Sequence, residues 1–389
     1  MNALALAATS AARSAPELTV DLAAVAANTQ VFAARAGGAL MAVVKADGFG
    51  HGAVAVARTA LSHGASWLGV TSLDEAAELR AAGLAAPLLS WLNPVDADFG
   101  AAAAAGIDLA VPGLEHLAAV AGARTRAAAP TRVHLHLDTG MARDGASPSQ
   151  WPALCRAARR AEQQGLLRVV GVMGHLGCAD RPDDPCNRLG RERFRWALGA
   201  ARAVGLRPEV RHLAATSATL LDPLSHHTMS RVGAGLVGID PTGTTPLSPA
   251  LTLTAPVVSV REVRGGTPVG YGHAAVTVGR THLALVALGY ADGLPRAASD
   301  RAEVLVQGRR RPVIGRISMD QVVIDVGDDP VAPGEVVTVF GPGGLGEPTV
   351  ADWARWAETL EHEIVTGVGA RVRRTVRTGA LLSVAGDRR

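Results

Sequence analysis

The sequence is poor in cysteine and in aromatic residues. Of its 389 residues three are cysteines, and Phe, Trp and Tyr together make up 3%. Cys155, Cys178 and Cys186 form an odd set without Cys-x-x-Cys spacing, so the pattern predicts neither a disulfide framework nor a zinc or other metal site. A reducing compartment is the default for such a chain, and we expect a cytoplasmic protein.

The sequence also lacks a large excess of positive or negative charge, and it lacks long apolar runs. Lysine and arginine number 38 against 35 acidic residues, for a net charge of +3. The arginine-rich segment 371–377 alternates like a strand with a solvated face, so we expect no nucleic-acid partner. No stretch of about 18 apolar residues spans a membrane. The apolar start lacks a basic segment, which favours a frayed N-terminus over a signal peptide.

The chain length suits two domains. Between residues 39 and 240, short apolar runs alternate with helix-like segments, several of which end at glycine. The candidate strands are 39–45, 67–72, 87–92, 107–111, 132–138, 168–176, 209–214 and 232–239. These strand–helix units favour a closed (β/α)8 barrel, because no Gly-x-Gly-x-x-Gly motif follows the first strand to support an open dinucleotide-binding sheet.

The pattern changes near residue 250. Strands separated by turn signals follow, and helices nearly vanish until residues 350–360. We therefore predict an α/β fold class, with a TIM-like (β/α)8 barrel at 18–248 and a mostly β C-terminal domain at 249–389. An opening helix after Asp21 has that residue as its expected N-cap.

Polar residues stand at the C-terminal ends of the predicted barrel strands, where barrels of this type carry their chemistry. In strand order they are Lys45, Arg143, His175, His212 and Arg231. The segments after strands seven and eight, "ATSAT" and "GAG", are where such barrels bind phosphate on backbone N–H groups. A lysine amine facing a phosphate site suggests pyridoxal 5′-phosphate, held as a Schiff base.

Each of these residues has a plainer interpretation when it is taken alone. A lysine after a strand is more often a surface charge, and His175 and His212 would more often be hydrogen-bonded core residues. Arg231 fits an ordinary ion pair, and the glycines after it fit close packing. Only the joint placement at strand ends favours a site.

Six segments, taken in order along the chain, resemble the signatures of the alanine racemase family. They are "AVVKADGFGHG", "LDTGMARDG", "SRVGAGLVGIDP", "VGYGH", "LGYADG" and "GRISMDQVVIDV". The resemblance runs from about residue 17 to 377. It implies a pyridoxal-phosphate barrel followed by a β domain, which an N-terminal strand at about 1–17 should join. It also implies a homodimer with shared active sites.

The resemblance implies a two-base mechanism. Lys45 serves one face of the substrate, and Tyr271 from the partner subunit serves the other. His175 is expected to bond Tyr271, and Arg231 to bond both His175 and the pyridine nitrogen. The implied cofactor-binding residues are Lys45, Phe49, Arg143, His175, Thr216, Arg231, Gly233, Ala234 and His362. The implied substrate-binding residues are Arg143, Tyr290, Met319 and Asp320.

The aromatic residues both support and qualify the resemblance. The chain has two tyrosines, Tyr271 and Tyr290, and both fall in family motifs. The family usually has two more at the cofactor phosphate, where this chain has Phe49 and His362. Losing two such hydrogen bonds would weaken cofactor binding by roughly 3–6 kcal/mol unless water or His362 compensates.

Two further positions depart from the family pattern. His136 stands where a lysine, commonly carbamylated, braces Arg143, and a histidine does not supply that negative charge. Ala215 stands where an asparagine is usual. We expect these changes to affect substrate preference, cofactor affinity and rate more than the type of reaction.

The leading hypothesis is a racemase that interconverts L-alanine and D-alanine and supplies D-alanine for peptidoglycan. One alternative is a specialised paralogue acting on another small amino acid. A second is a non-catalytic pyridoxal-phosphate-binding protein, although such barrel relatives lack the β domain. A decarboxylase on a related scaffold would need a cysteine acid in the second domain, whereas all the cysteines precede residue 190.

Overall fold

The computed structural model describes residues 15–123 and 129–378. Its contacts divide the chain into two compact units, one spanning Val25–Leu247 and the other combining the chain up to Ala24 with the chain from Ser248 onward. We call them the barrel unit and the β unit. Strand β1 (Glu17–Asp21) belongs to the β unit, whereas the predicted division assigned residue 18 onward to the barrel. Residues 1–14 of the predicted N-terminal strand lie outside the described residues.

Parallel strands form the sheet of the barrel unit. They are β2 (Ala39–Val43), β3 (Trp67–Val70), β4 (Leu88–Ser90), β5 (Ile107–Val111), β6 (Thr131–His136), β7 (Leu167–Met173), β8 (Val210–His212) and β9 (Met229–Val232). Within the described chain these eight pair in the order β8-β7-β6-β5-β4-β3-β2-β9. The edges β8 and β9 are joined where Thr228 N–H donates to the Arg211 carbonyl at 3.1 Å. The predicted fold class is confirmed.

Helices connect these strands. They are α1 (Leu22–Arg35), α2 (Ala53–Ser62), α3 (Leu73–Ala81), α4 (Phe99–Ala104), α5 (Leu114–Gly122), α6 (Trp151–Gln163), α7 (Pro185–Ala203) and α8 (Thr216–Leu221). The predicted cap of α1 is confirmed, because Asp21 Oδ1 accepts from the Ala23 N–H at 2.9 Å. Among the described residues, no helix combines the length and apolarity that crossing a membrane requires.

The prediction for the eighth strand is wrong. The strand covers Met229–Val232, and the predicted run 232–239 contains instead a 3₁₀ turn at Ala234–Val237. Gly235 packs so closely on the ring of Phe32 that a Cβ there would collide with it. The apolar run is therefore a tight buried turn, and Arg231 lies within the strand rather than opening it. The polar residues Ser230 and Arg231 interrupt the apolar pattern of this strand, so the sequence did not predict it there.

The β unit is built around one long central strand. Its strands are β10 (Leu251–Val263), β11 (Pro268–Val269), β12 (Ala275–Val276), β13 (Thr281–Val286), β14 (Glu303–Val306), β15 (Arg309–Pro312), β16 (Val322–Gly327), β17 (Val336–Phe340) and β18 (Arg373–Arg377), with helices α9 (Val350–Ala357) and α10 (Glu361–Gly367). Strand β10 pairs with β1, β13 and β17. The mostly β architecture agrees with the turn-rich sequence pattern.

The arginine-rich segment forms strand β18, as its alternation predicted. It runs parallel to β1. Arg373 forms an ion pair with Glu17, and Arg377 Nη2 lies 2.7 Å from Asp21 Oδ2. Two of the three arginines of this strand are thus paired with acidic side chains on its neighbour.

Candidate active site

Lys45 lies on a left-handed turn directly after β2. Ala46, Asp47 and Phe49 have φ values of 50°, 52° and 58°, in a region that residues other than glycine rarely adopt. Such strain persists only where neighbours over-determine the conformation. Here Asp47 Oδ1 accepts from the Ala53 N–H at 2.8 Å, which ties the turn to the start of α2.

Glu75, in the first turn of α3, anchors the same turn from the next strand–helix unit. Its Oε1 accepts from the Ala46 N–H at 2.6 Å, and its Oε2 accepts from the Thr71 N–H at 2.9 Å. Burial alone would raise the pKa of Glu75, but these hydrogen bonds hold it below its ordinary value. Sequence reasoning missed this role, although the capping-box spacing from Ser72 to Glu75 was a signal.

The Lys45 amine is half-buried, and burial followed by the charge of Arg143 lowers its pKa. A lowered pKa increases the share of neutral amine, which is the nucleophilic form. Lys45 is also the single lysine of the whole chain, a signal that the sequence prediction did not use. Arg143 also lowers the pKa of His175 and Arg231, so these four predicted residues share one electrostatic environment.

Arg231 is buried at the centre of this environment. Its Nη1 donates to the His212 carbonyl at 2.7 Å, and its Nη2 donates to the Gly174 carbonyl at 2.7 Å and to His175 Nδ1 at 3.2 Å. Burial, then the charge of Arg143, lowers the pKa of Arg231 to about 10. The guanidinium therefore stays charged at neutral pH, with Nε as the donor that takes no part in these three bonds.

His175 is neutral and has a defined tautomer. Because Arg231 Nη2 donates to Nδ1, the ring proton lies on Nε2. Burial and the charges of Arg231 and Arg143 lower the pKa of His175 to about 3. The ring is thus a neutral hydrogen-bond donor through Nε2.

A buried chain of hydrogen bonds leads away from the other side of Arg231. Its Nη1 donates to His212 Nδ1 at 3.1 Å, which places the His212 proton on Nε2. That proton is donated to His134 Nδ1 at 2.8 Å, and His134 Nε2 in turn donates to Asp108 Oδ2 at 3.2 Å. All bonds in this chain point in one direction, from the guanidinium to the carboxylate.

The far end of the buried chain is a paired carboxylate. Burial would raise the pKa of Asp108, but hydrogen bonds from His134 and Arg132 hold it below its ordinary value. Arg132 Nε lies 2.8 Å from Asp108 Oδ1. Sequence reasoning named His212 but missed Asp108 and His134. The available signal was the position of Asp108 and His134 inside otherwise apolar strands. A polar side chain that is buried in this way must find a hydrogen-bonding partner.

The predicted phosphate residues lie just beyond β8 and β9. Thr216, Gly233 and Ala234 are buried or nearly so, and Gly235 N–H lies 3.4 Å from Thr216 Oγ1. Phe49 packs on this segment, because a Cβ on Gly233 would lie 2.6 Å from its ring. The structure therefore brings the lysine turn against the segment after β9, with the Phe49 ring packed between them.

The loop that carries Arg143 is fixed at both of its ends. Asp138 Oδ1 accepts from the backbone N–H of Gly140 at 2.8 Å and of Met141 at 3.0 Å. His136 Nδ1 lies 3.2 Å from Asp144 Oδ2. His136 thus contacts the acidic side chain of Asp144, which directly follows Arg143 in the chain and places a carboxylate beside this loop.

In the β unit, the loop of Tyr271 packs on the segment "GRISMD". Tyr271 begins a 3₁₀ turn between β11 and β12, and its side chain is 67% exposed. Gly270 has a φ of 72°, and a Cβ there would lie 3.2 Å from the backbone N of Arg316. Two motifs that are far apart in sequence thus meet in one surface.

A third motif joins the same surface. Tyr290 N–H donates to the Ser318 carbonyl at 3.0 Å, and Ala291 N–H donates to the Met319 carbonyl at 2.9 Å. Tyr290 and Met319 are both exposed, and Asp320 Oδ1 pairs with Arg371 Nη1 at 2.7 Å. We call this patch, formed by Tyr271, Tyr290, Met319 and Asp320, the tyrosine surface. His362 lies on α10 of the β unit.

Comparisons with known proteins identify one family along nearly the whole chain. The family models "Alanine racemase, N-terminal domain" and "Alanine racemase, C-terminal domain" match residues 20–241 and 250–376. A curated alanine racemase from Thermobifida fusca is 47% identical over 369 residues, covering 94% of this chain and 98% of the relative. A crystal structure of alanine racemase from D-cycloserine-producing Streptomyces lavendulae superposes with a TM-score of 0.92 at 43% identity, covering 94% of this chain and 98% of that one. The chain belongs to the alanine racemase family.

Proposed function

We propose that the protein is a pyridoxal-phosphate-dependent racemase that interconverts L-alanine and D-alanine. The observation that carries the proposal is the single lysine of the chain, half-buried with a lowered pKa, in one environment with Arg143, His175 and Arg231. Family membership supports the reaction and the substrate. We further propose a cytoplasmic homodimer that supplies D-alanine for the cell wall.

The residues present fit the cofactor. Lys45 offers an amine for covalent attachment, and Arg231 Nε offers a charged donor to the ring nitrogen. Thr216, Gly233 and Ala234 would hold the phosphate, and Arg143 the phenolic oxygen. When bound, pyridoxal phosphate withdraws electrons from the substrate and makes its α-proton removable.

Two bases on opposite faces would carry the proton. Lys45 removes or returns the α-proton on one face, and Tyr271 of the partner subunit does so on the other. A phenol needs help to act as a base. The Nε2–H of His175 supplies that help by donating to the phenolate oxygen, and Arg231 holds the imidazole in the tautomer that makes this bond.

Arg231 also restricts the chemistry. Its guanidinium stays protonated, since even a lowered pKa of about 10 lies well above neutral pH. It would therefore keep its proton rather than pass it to the ring nitrogen of the bound cofactor, which would leave that ring a weaker electron acceptor than a carboxylic acid partner would. We expect this to limit side reactions such as transamination.

The buried chain from His212 to Asp108 positions Arg231. It turns the Nδ1 lone pair of His212 toward the guanidinium, and the Asp108 carboxylate places a negative charge at the far end. A buried arginine with fixed partners keeps Nε pointing in one direction. Asp108 and His134 are thus positioning residues in this proposal.

The tyrosine surface supports the proposal of a shared site. Tyr271, Tyr290 and Met319 are each at least 40% exposed, although they carry the aromatic and thioether groups that proteins usually cover. A partner barrel would bury them and receive Tyr271 as its second base.

Incubation of the cofactor-loaded protein with L-alanine in deuterated water tests the function. Chiral chromatography with mass detection should find D-alanine carrying deuterium at Cα. A panel of other small amino acids distinguishes a specialised racemase from one for alanine. Unchanged, unlabelled L-alanine with cofactor bound would show that the protein binds the cofactor without racemising alanine.

A further inference from the structure

Two of the three cysteines meet an aspartate outside the candidate active site. Cys178 lies in the loop after β7, Asp184 caps α7, and Cys186 stands in the first turn of that helix. One possible ligand atom from each of the three lies within 4.8 Å of the others. Seven residues separate the two cysteines, so the spacing does not match a zinc motif, and the start of the helix brings them together.

The ligand atoms are held by a rigid frame. Asp184 Oδ1 accepts from the Cys186 N–H at 3.0 Å, which fixes the carboxylate at the helix start. The side chain of Asn187 is buried, and its Nδ2 donates to the carbonyls of Cys178 at 3.0 Å and Arg181 at 2.8 Å. The loop carrying one sulfur is therefore tied to the helix carrying the other two ligands, so binding needs little ordering.

The cluster already attracts a positive charge. Arg181 Nη2 lies 3.4 Å from Cys178 Sγ and 3.1 Å from Asp184 Oδ2. The Arg181 side chain is 66% exposed, so it can withdraw into solvent when a stronger cation arrives. An exposed ion pair of this kind is worth only about 0–1 kcal/mol and does not protect the ligands.

We propose that Cys178, Asp184 and Cys186 bind one Zn²⁺ through two sulfurs and a carboxylate oxygen, with water as the fourth ligand. Thiolates select zinc over magnesium or calcium. Zn–S bonds of about 2.3 Å and Zn–O bonds of about 2.0–2.2 Å separate tetrahedral donors by roughly 3.6–3.8 Å. The donors here lie within 4.8 Å of one another, so they need to close by at most about 1 Å, which side-chain rotation supplies.

The site is structural rather than catalytic. Cys178 follows His175 by three residues on the same loop, and zinc would fasten this loop to α7. Because zinc would bind the folded chain in preference to the unfolded one, it raises the stability of the barrel unit by mass action. The inference does not depend on the racemase function.

Zinc competition with a chromophoric chelator tests the site. Full-length protein loaded with its cofactor and reduced with a phosphine should bind one Zn²⁺ per chain. C178S, C186S and D184N should each lower the affinity at least tenfold, following the loss of one ligand. An asparagine at the cap position still caps the helix, so D184N tests the ligand rather than the cap. Retained cofactor absorbance shows that each variant is folded.

Matched controls are present in the chain. C155S changes the buried cysteine on α6, and D183N changes the acidic neighbour of Asp184, so both should bind zinc like the unmodified protein. R181A removes the competing cation and should tighten binding. Zinc should also slow alkylation of Cys178 and Cys186, read by peptide mass spectrometry. Equal zinc affinity in C178S/C186S and the unmodified protein, or unslowed alkylation, would overturn the proposal.

Discussion

The two units hold their candidate functional residues in opposite ways. The barrel unit buries Arg231, which is 5% exposed, and surrounds it with backbone carbonyls and histidines. The β unit displays Tyr271 with two thirds of its side chain exposed. The barrel residues are positioned by their own unit. The tyrosine surface is also positioned by its own unit, but Tyr271, Tyr290 and Met319 stay exposed within the described residues. In the function proposed above, the barrel unit would set the chemistry and the β unit would supply Tyr271 to a partner subunit.

The largest expected effect is in the barrel unit. Lys45→Ala removes the amine that would hold the cofactor and also one base, so racemisation should fall by at least about 10³-fold. Lys45→Arg is the matched control, since it keeps the charge but not the nucleophilic amine, and it should be equally inactive. Because Lys45 is the single lysine, borohydride reduction followed by mass spectrometry should place the cofactor there and nowhere else. Substantial activity in either variant would contradict the assignment.

Tyr271→Phe tests the β unit. Racemisation should fall by about 10²–10⁴-fold, because one general base is lost. Bound cofactor, measured by visible absorbance after dialysis, should remain. Retained activity would contradict the two-base scheme.

Mixing the two variants tests how the units combine. In a symmetric dimer with sites shared between subunits, a Lys45→Ala chain paired with a Tyr271→Phe chain has one intact site of two. Equal mixing by co-expression should therefore restore about a quarter of the normal activity. No recovery would mean that both bases of a site come from the same chain.

Asp108→Asn tests the buried chain. It removes the carboxylate at the end of that chain and should lower the free energy of unfolding by about 3 kcal/mol, measured by urea denaturation. The folded pKa of Asp108 lies below the ordinary value of 3.8, so its contribution is present above that pH and is lost as pH falls through the folded value. The variant should lack this acid-dependent part. Equal stability at all pH values would contradict the pairing.

Phe49→Tyr restores a hydroxyl to the lysine turn. If the ring faces the cofactor phosphate, one added hydrogen bond to a charged group should strengthen cofactor retention by about 1.5 kcal/mol, or roughly tenfold. Equilibrium dialysis measures this directly. Unchanged or weaker retention would place the phosphate away from Phe49.

The last prediction concerns His175 and the pH dependence of stability. Its folded pKa of about 3 lies below the ordinary value of 6.5, so the unfolded chain binds the extra proton first. Its contribution to stability is full above pH 6.5 and is lost as pH falls toward 3, at a slope of at most about 1.4 kcal/mol per pH unit. In His175→Gln the free energy of unfolding should change less steeply with pH, because unfolding would then take up as much as one proton fewer. A slope equal to that of the unmodified protein would contradict the neutral assignment.

The sequence predicted most of the barrel because its strands are short apolar runs and several of the helical segments between them end at glycine. It failed at the eighth strand, where the buried Ser230 and Arg231 made a real strand look polar and a glycine-rich turn looked like a strand. Local sequence patterns also do not predict contacts between residues that lie far apart in the chain. Nothing in the spacing links Asp108 to His134, or Cys178 to Cys186, since each pair is brought together by the fold.

The tyrosine surface shows the same limit. The resemblance named its residues, but their meeting depends on backbone bonds between "LGYADG" and "ISMDQ" and on the packing of Gly270 against Arg316. The left-handed turn after Lys45 was also unforeseen, because the sequence there contains two residues, Ala46 and Phe49, that rarely adopt positive φ. This strained turn can be explained only from the folded structure, in which hydrogen bonds to Asp47 and Glu75 hold it.

The pairing of β1 has a consequence for synthesis on the ribosome. Strand β1 lies between β10 and β18, so the β unit draws on both ends of the described chain, with the whole barrel unit inserted between them. As the chain emerges, β1 must remain unpaired while more than two hundred residues of barrel are made. The barrel unit can fold as soon as it is complete, but the β unit cannot. The β unit, with the tyrosine surface that it carries, is therefore completed only after the barrel unit.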